Sequence, residues 1–310
     1  MDEALIDLNP QSVLEKVARA ESLAGQDLSG MDLSGLKLAG ADFSSAILNK
    51  VNFSNCDLSK ANFNQANLAQ ARLSNANCMD ATFSNADLNE VDASQTHFDR
   101  SLFDGAIFSK ANLGGALFDH AKGEHTDFTE AILISARFNE ASFKAAVFSA
   151  STLDRANFEK AELSDANFEQ SSGDSVTFKG ATLTGLRAEG CSFPAGVFIE
   201  AKADGSVFES ANLEGADFSY ASLQKASFMS ARLKKAVLYA TDCCSANLSS
   251  AELASANLTS ANFFQATFEH ASLLSADLSK SNCYEVEFLE ADIVGAKFNG
   301  TILDATKLKN

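Results

Sequence analysis

The chain has 310 residues, and 41 acidic against 24 basic side chains leave a net charge of −17, a sign that disfavours direct binding to nucleic acid. With 46% hydrophobic residues it can bury a large core. Phe accounts for 25 residues against three Tyr and no Trp, and Pro occurs twice, a narrow usage that points to one structural unit copied many times.

The first residues, MDEALIDLNPQ, are acidic and carry neither the basic start nor the long apolar run of a secretory signal. The longest aliphatic runs, such as Ala131–Ile134, are far too short to cross a bilayer. The expected location is the cytoplasm, with no membrane partner, although secretion without an N-terminal signal would leave no trace here. Asn9 then offers an N-cap, with Pro10 at the first helical position. Val13, Leu14 and Val17 would line one side of that short helix. Residues 1–20 thus read as a segment whose helix covers the first layer of the region that begins at residue 21.

From residue 21 to residue 310 one pattern holds without insertion or slip. A large apolar centre recurs every fifth residue from Leu23 to Leu308, in 58 units, of which 25 have Leu and 24 have Phe at the centre. Ala stands two residues before the centre in 36 units, and Asp or Asn often lies between, as in Ala41-Asp42-Phe43 and Ala276-Asp277-Leu278. In an α-helix five residues turn the chain by about 500°, which would scatter the centres around the cylinder. In a straight strand an odd period would send successive centres to opposite faces. A chain that turns a corner once per unit avoids both problems. The centre and the Ala share parity and point inward, the residue between them points out, and the last two residues form the bend. Repeated, this winds the chain around an apolar axis and pairs each coil with the next, giving a solenoid.

The pattern A-(D/N)-(L/F)-x-x resembles that of the pentapeptide repeat family, across residues 21–310. The resemblance implies an all-β solenoid: a right-handed quadrilateral parallel β-helix with one unit per side and twenty residues per coil. Residues 21–310 would form a single domain of about 14 coils, roughly 70 Å long at ~4.8 Å per coil, with the N-terminal capping α-helix before it.

Nine centres are neither Leu nor Phe: Cys78, Ala93, Gly123, Gly173, Ala188, Ala203, Cys243, Cys283 and Ile293. Three of them fall in residues 171–206, where Val176 and Leu186 occupy Ala positions and would refill lost volume. That stretch reads either as locally altered packing or as a bend that shapes a partner surface. Residues 121–128 are a second such place. At the far end no cap is evident, so the open coil is expected to be either a homodimer or partner interface, or solvated.

Little of the sequence suggests chemistry. His97, His120, His125 and His270 all take outward or corner positions, and the carboxylates Asp119 and Glu124 beside two of them match no zinc spacing. Five of the six Cys point inward as small hydrophobes, and only Cys244 points out. On a twenty-residue coil Cys243 and Cys283 stand roughly 10 Å apart, too far for a disulfide. No phosphate loop, nucleophile elbow or acid–base pair stands outside the repeat. The chain is therefore read as no enzyme, with no catalytic residue, metal or cofactor.

Charge is more informative. Sorted onto four sides in chain order from residue 21, the nets are −6, −6, −2 and −1. Bases including Lys60, Arg100, Lys160 and Lys280 share one corner. The resemblance extends to family members that mimic DNA and bind gyrase or other type II topoisomerases. Duplex DNA, however, carries one charge per ~1.7 Å, about 40 over such a rod, more than twice the net charge here. Those members also carry a loop that breaks the repeat or a C-terminal dimerising helix, and this sequence shows neither.

Outward apolar residues give the other lead. Phe264 and Tyr284 are twenty apart at equivalent bend positions, and Leu274 and Val294 form a similar pair two corners away. The reading is a non-catalytic, rigid scaffold for protein–protein interaction. Its candidate surfaces are Phe264, Tyr284, Leu274 and Val294, then an acidic strip through Asp87, Glu90, Asp127 and Glu130. One alternative is a DNA mimic directed at gyrase. Another rests on residues 21–43, which resemble repeat modules of bacterial type VI secretion loci and imply an accessory or effector-linked role.

Overall fold

The computed structural model describes residues 8–307. The chain comprises two compact units, Met1–Arg137 and Phe138–Asn310, and one architecture recurs inside each. Both are right-handed quadrilateral parallel β-helices. The sheets consist of single-residue parallel bridges, each joining residues twenty apart: Asp57 to Asn77 in the first unit, Asp277 to Lys297 in the second. Twenty residues at five per side give four sides, as the repeat implied.

The five backbone N–H groups of a unit show why the repeat has its composition. On the side built by Cys56–Lys60, Asp57 N donates to Leu36 O (3.0 Å) in the coil before. Leu58 N and Lys60 N donate to Asn77 O (2.7 Å) and Met79 O (2.9 Å) in the coil after. Ala61 N closes the turn on Leu58 O at 3.0 Å. The remaining donor, Ser59 N, would be bare, and Asp57 Oδ1 accepts from it at 3.1 Å. The Asp or Asn before each centre is thus an Asx turn that satisfies the one amide the coils cannot reach. The same five bonds recur at 276–281 in the second unit, with Ser279 N on Asp277 Oδ1 at 3.0 Å.

In some units where that position lacks Asp or Asn, the coil before supplies the acceptor. Thr82, Ser172 and Ser222 head units in which the bare amide of Ser84, Asp174 or Gln224 instead donates to Asn64, Asp154 or Asp204, twenty residues earlier.

The corner residue, two after each described centre, lies in the left-handed region. Lys60 has φ 60°, Lys280 φ 63° and Ala145 φ 52°, and with the turn bond this is the φ pattern of a type II turn. An L-residue there costs of order 1–2 kcal/mol, most for a β-branched side chain. Accordingly no Val, Ile or Thr occupies that position in any unit from Gly25 onward.

The centres fill the interior. Within the first unit, Phe63 stacks on Phe83 at 4.9 Å and Phe83 on Phe103 at 5.3 Å, while Phe98 meets Phe83 edge-on at 5.6 Å. Rings twenty apart stack along a side, and rings on other sides meet as edges, both favourable geometries.

Helix α1 (Pro10–Ala18) forms as its sequence suggests: Asn9 caps it, Pro10 starts it, and Asn9 and Ser12 exchange side-chain-to-backbone bonds of 3.0 and 2.9 Å. Val13 is fully buried, and so are the first-coil centres Leu23, Leu28, Leu33 and Leu38. At the other end Ile293 and Leu303, in the same inward positions, are 38% and 36% exposed. The contrast identifies α1 as the cover of the first coil. Leu308 lies outside the described residues.

The irregular stretch 171–206 keeps its register, with bridges from Ser172 to Ser192 and from Thr182 to Lys202. A Cβ on Gly173 would lie 2.5 Å from Val176 Cγ2, so the Val methyl occupies the space that Gly173 leaves. Packing is thus altered at Gly173, and the bridges of this segment continue without a break.

Candidate partner-binding surfaces

Phe264 and Tyr284 do stack on adjacent coils, with ring centroids 5.8 Å apart and planes within 11°. The amides beneath them are held by Asn262 and Asn282, whose side chains bond each other at 3.0 Å and so set the two rings in register. Phe264 is half-buried and Tyr284 is exposed. A shallow cleft of about 460 Å³ runs beside them, lined by Gln265, Thr267, Glu285, Glu287 and Lys307. Leu274 and Val294 are both exposed, Val294 at 70%, and Ser275 N donates to Val294 O at 3.0 Å. Ten residues are two sides of the coil, so the two pairs sit on opposite corners and form two surfaces.

The four acids of the first unit do not form an unbroken strip. Ile107 bridges both Asp87 and Asp127 and separates them. Lys110 lies between Glu90 and Glu130 in the corner column and pairs with Glu130 at 3.9 Å, while Gln70 donates to Glu90 at 2.8 Å. On the basic corner Arg100 is neutralised: it grips Asp80 through two bonds of 2.7 and 2.9 Å. That guanidinium holds the Asp80 carboxyl below its ordinary value. Opposite or complementary side chains one coil apart thus recur on these corners, as they do in Gln265–Glu285 and His270–Glu290.

One carboxylate is poorly placed. Asp99 is buried, 3.9 Å from His97 Nδ1, near Asp119, which itself pairs with Arg137 at 2.7 Å. Burial first, and then the Asp119 charge, raise the Asp99 carboxyl above its ordinary value. A carboxyl raised in the folded state opposes folding above that value, and the opposition fades as the pH falls and the folded protein takes up the proton. Asp99→Asn should therefore raise the melting temperature at pH 7, with the gain vanishing in acid, where both states carry the proton. Melts of both proteins across pH 3–8 check this, and a gain independent of pH would refute it.

All six cysteines are free thiols. Burial pushes the Cys56 and Cys283 thiols up to about 11 and raises those of Cys78, Cys191 and Cys243 as well, so these five are poor nucleophiles at neutral pH. Among the described residues, no group of three or more His, Cys, Asp or Glu is placed to hold a metal ion. Nor is any described helix long and apolar enough to cross a membrane.

A third surface escaped sequence reading. Tyr220, 59% exposed, and Tyr239 meet edge-on at 5.4 Å on one side of the second unit. They are nineteen residues apart, so a search for ladders of period twenty passes over them.

The family described as pentapeptide repeats matches the chain in two forms. One, of nine copies, covers residues 43–92; the other, of eight copies, covers 22–55, 81–119, 111–149, 151–185, 197–228, 226–265 and 271–310. Among solved structures the chain is similar to HetL, a pentapeptide repeat protein involved in heterocyst differentiation regulation from the cyanobacterium Nostoc sp. strain PCC 7120. Identity is 23% over 97% of this chain and 95% of that one, with a TM-score of 0.26. It is also similar to a trypsin-treated variant of QnrB1, a plasmid-mediated fluoroquinolone resistance protein, at 23% identity over 66% and 91% of the two chains and a TM-score of 0.32. A third similarity is to Rfr23, a pentapeptide repeat protein from the cyanobacterium Cyanothece 51142, at 26% identity over 33% and 60%, TM-score 0.20. No curated protein matches the sequence.

Proposed function

Since the chain belongs to the pentapeptide repeat family, we propose that it is a non-catalytic scaffold that presents corner side chains to protein partners. The family is one of structural and protein-binding proteins rather than enzymes. The observation that carries the reading is the Phe264–Tyr284 stack: two aromatic rings turned outward on a frame that already holds more than enough Phe inside. The amides beneath both rings are bonded, so the rings are displayed on a rigid support, which lowers the entropy lost on docking. Tyr at a pre-ordered surface is a common anchor of protein interfaces.

Mimicry of DNA has less support. Ile107 and Lys110 interrupt the acidic columns that such a surface needs, and the chain sets 24 basic side chains among its 41 acids, where a duplex backbone carries negative charge alone.

The test is affinity capture from the native host, comparing the unaltered protein with Phe264→Ser/Tyr284→Ser and with Leu274→Ser/Val294→Ser. Partners retained by the unaltered chain should fall at least about tenfold with the first variant. An identical set of partners on all three proteins would refute the corner assignment.

A further inference from the structure

We propose that the side carrying Tyr220 and Tyr239 docks an amphipathic helix flanked by Lys or Arg. The inference rests on the scaffold reading and adds a surface and a partner chemistry to it. Val197, Asp217 and Val237 bridge one another in succession, so three stacked coils bring Val197, Ile199, Tyr220, Val237 and Tyr239 onto one side and its corner. The two Tyr are exposed and the three aliphatic residues half-buried. It is an outward apolar patch gathered from three successive coils, and patches of this kind mark interaction sites.

Charge gives the sign of the partner. Across residues 196–200, 216–220 and 236–240 the only charged side chains are Glu200 and Asp217. Neither has an ion pair among the described residues, whereas Asp277 on the same side is paired with Lys297. Glu200 lies close enough to Tyr220 to act on its phenol, which is raised above its ordinary value by burial first and by Tyr239 and Glu200 after that. No cation among the described residues pairs with either carboxylate, although Asp217 Oδ1 accepts from Ser219 N and Oγ at 2.8 and 2.6 Å, so the patch favours cations from outside.

Backbone geometry gives the shape. Val197, Asp217 and Val237 each donate to the coil before, and Ile199 O and Tyr239 O each accept from a corner amide. With these ladder groups used, an added strand would leave its own amides unpaired against this side. A helix satisfies its own backbone, and its turns rise 5.4 Å against ~4.8 Å per coil. Laid along the stack it keeps step over three coils with a drift of only about 1 Å.

The three tyrosines provide the probe, because two lie in this patch and the third is Tyr284. The full chain labelled with 3-fluorotyrosine would be titrated with a synthetic amphipathic peptide of about four helical turns, Leu on one face and Lys beside it. A second peptide has Glu in place of Lys. The Lys peptide should move the Tyr220 and Tyr239 resonances and leave Tyr284 in place. Tyr220→Ser/Tyr239→Ser should weaken binding at least about tenfold, and Glu200→Lys/Asp217→Lys should transfer the preference to the Glu peptide, with circular dichroism confirming that each variant is folded. Equal response to both peptides, or no response, overturns the proposal. Movement with protein concentration alone overturns it too, since the occupant is then a second copy of the chain. A shift confined to Tyr284 overturns it while leaving the corner assignment standing, so the two readings fail separately.

Discussion

Phe83→Ala will destabilise the first unit by about 3–5 kcal/mol, the range for deleting a buried aromatic ring. The ring is fully buried, stacks on Phe63 and Phe103 along its side and meets Phe98 edge-on. Two sides round the same coil stands Ala93, also fully buried, so that coil already has a small centre where others have Leu or Phe. Removing the ring opposite leaves a void that cannot close. The coils above and below are held by Phe83 N on Leu102 O at 2.7 Å and by the matching bonds of neighbouring sides. Phe83→Leu should lose far less, because a branched side chain refills most of the space. Urea unfolding gives the magnitude. Amide exchange gives the location, since a solenoid couples mainly nearest coils and protection should fall first around residues 63–103. Loss of less than about 1 kcal/mol, or a uniform change in exchange, would show that the stacked rings are not what holds these coils.

Gly173→Ala is the second large effect, about 1–3 kcal/mol from overpacking in a place where the repeat normally carries a far bigger side chain. The new Cβ would lie 2.5 Å from Val176 Cγ2 and 2.8 Å from the carbonyl carbon of Leu153. Val176→Ala removes the first clash and leaves the second. The double variant should therefore be more stable than the sum of the two single losses, by an interaction of roughly 0.5–3 kcal/mol. Strict additivity would mean that Val176 does not fill the space of the missing centre. The outcome also decides how the repeat tolerates defects, because a lost Leu or Phe can be offset only by a side chain that reaches the same point inside the coil.

Much of this was legible before any coordinate. The period of five, its phase over the whole repeat, and the parity shared by Ala and the centre identify the inward set, and every described Phe centre from Phe43 to Phe288 is buried. Asn9 and Pro10 announce α1 because capping chemistry is local. Two further signals were present and unread. The absence of Val, Ile and Thr from every corner is a left-handed backbone written in composition. The Asp or Asn before the centre marks an amide that needs a side-chain acceptor, as Asp57 serves Ser59.

What the residues determined alone is whatever depends on neighbours within one unit: which side chains turn inward, where the chain bends, where the helix starts. Only the stacked structure decided the surface, because side chains twenty residues apart, or nineteen at a corner, meet there. Asp87, Glu90, Asp127 and Glu130 add up to an acidic strip when counted, yet Ile107 and Lys110 stand between them. Tyr220 and Tyr239 look unrelated in the sequence, and their rings touch. Charge and contact fall off over a few ångströms, so function on this fold is set by which coil lies next to which.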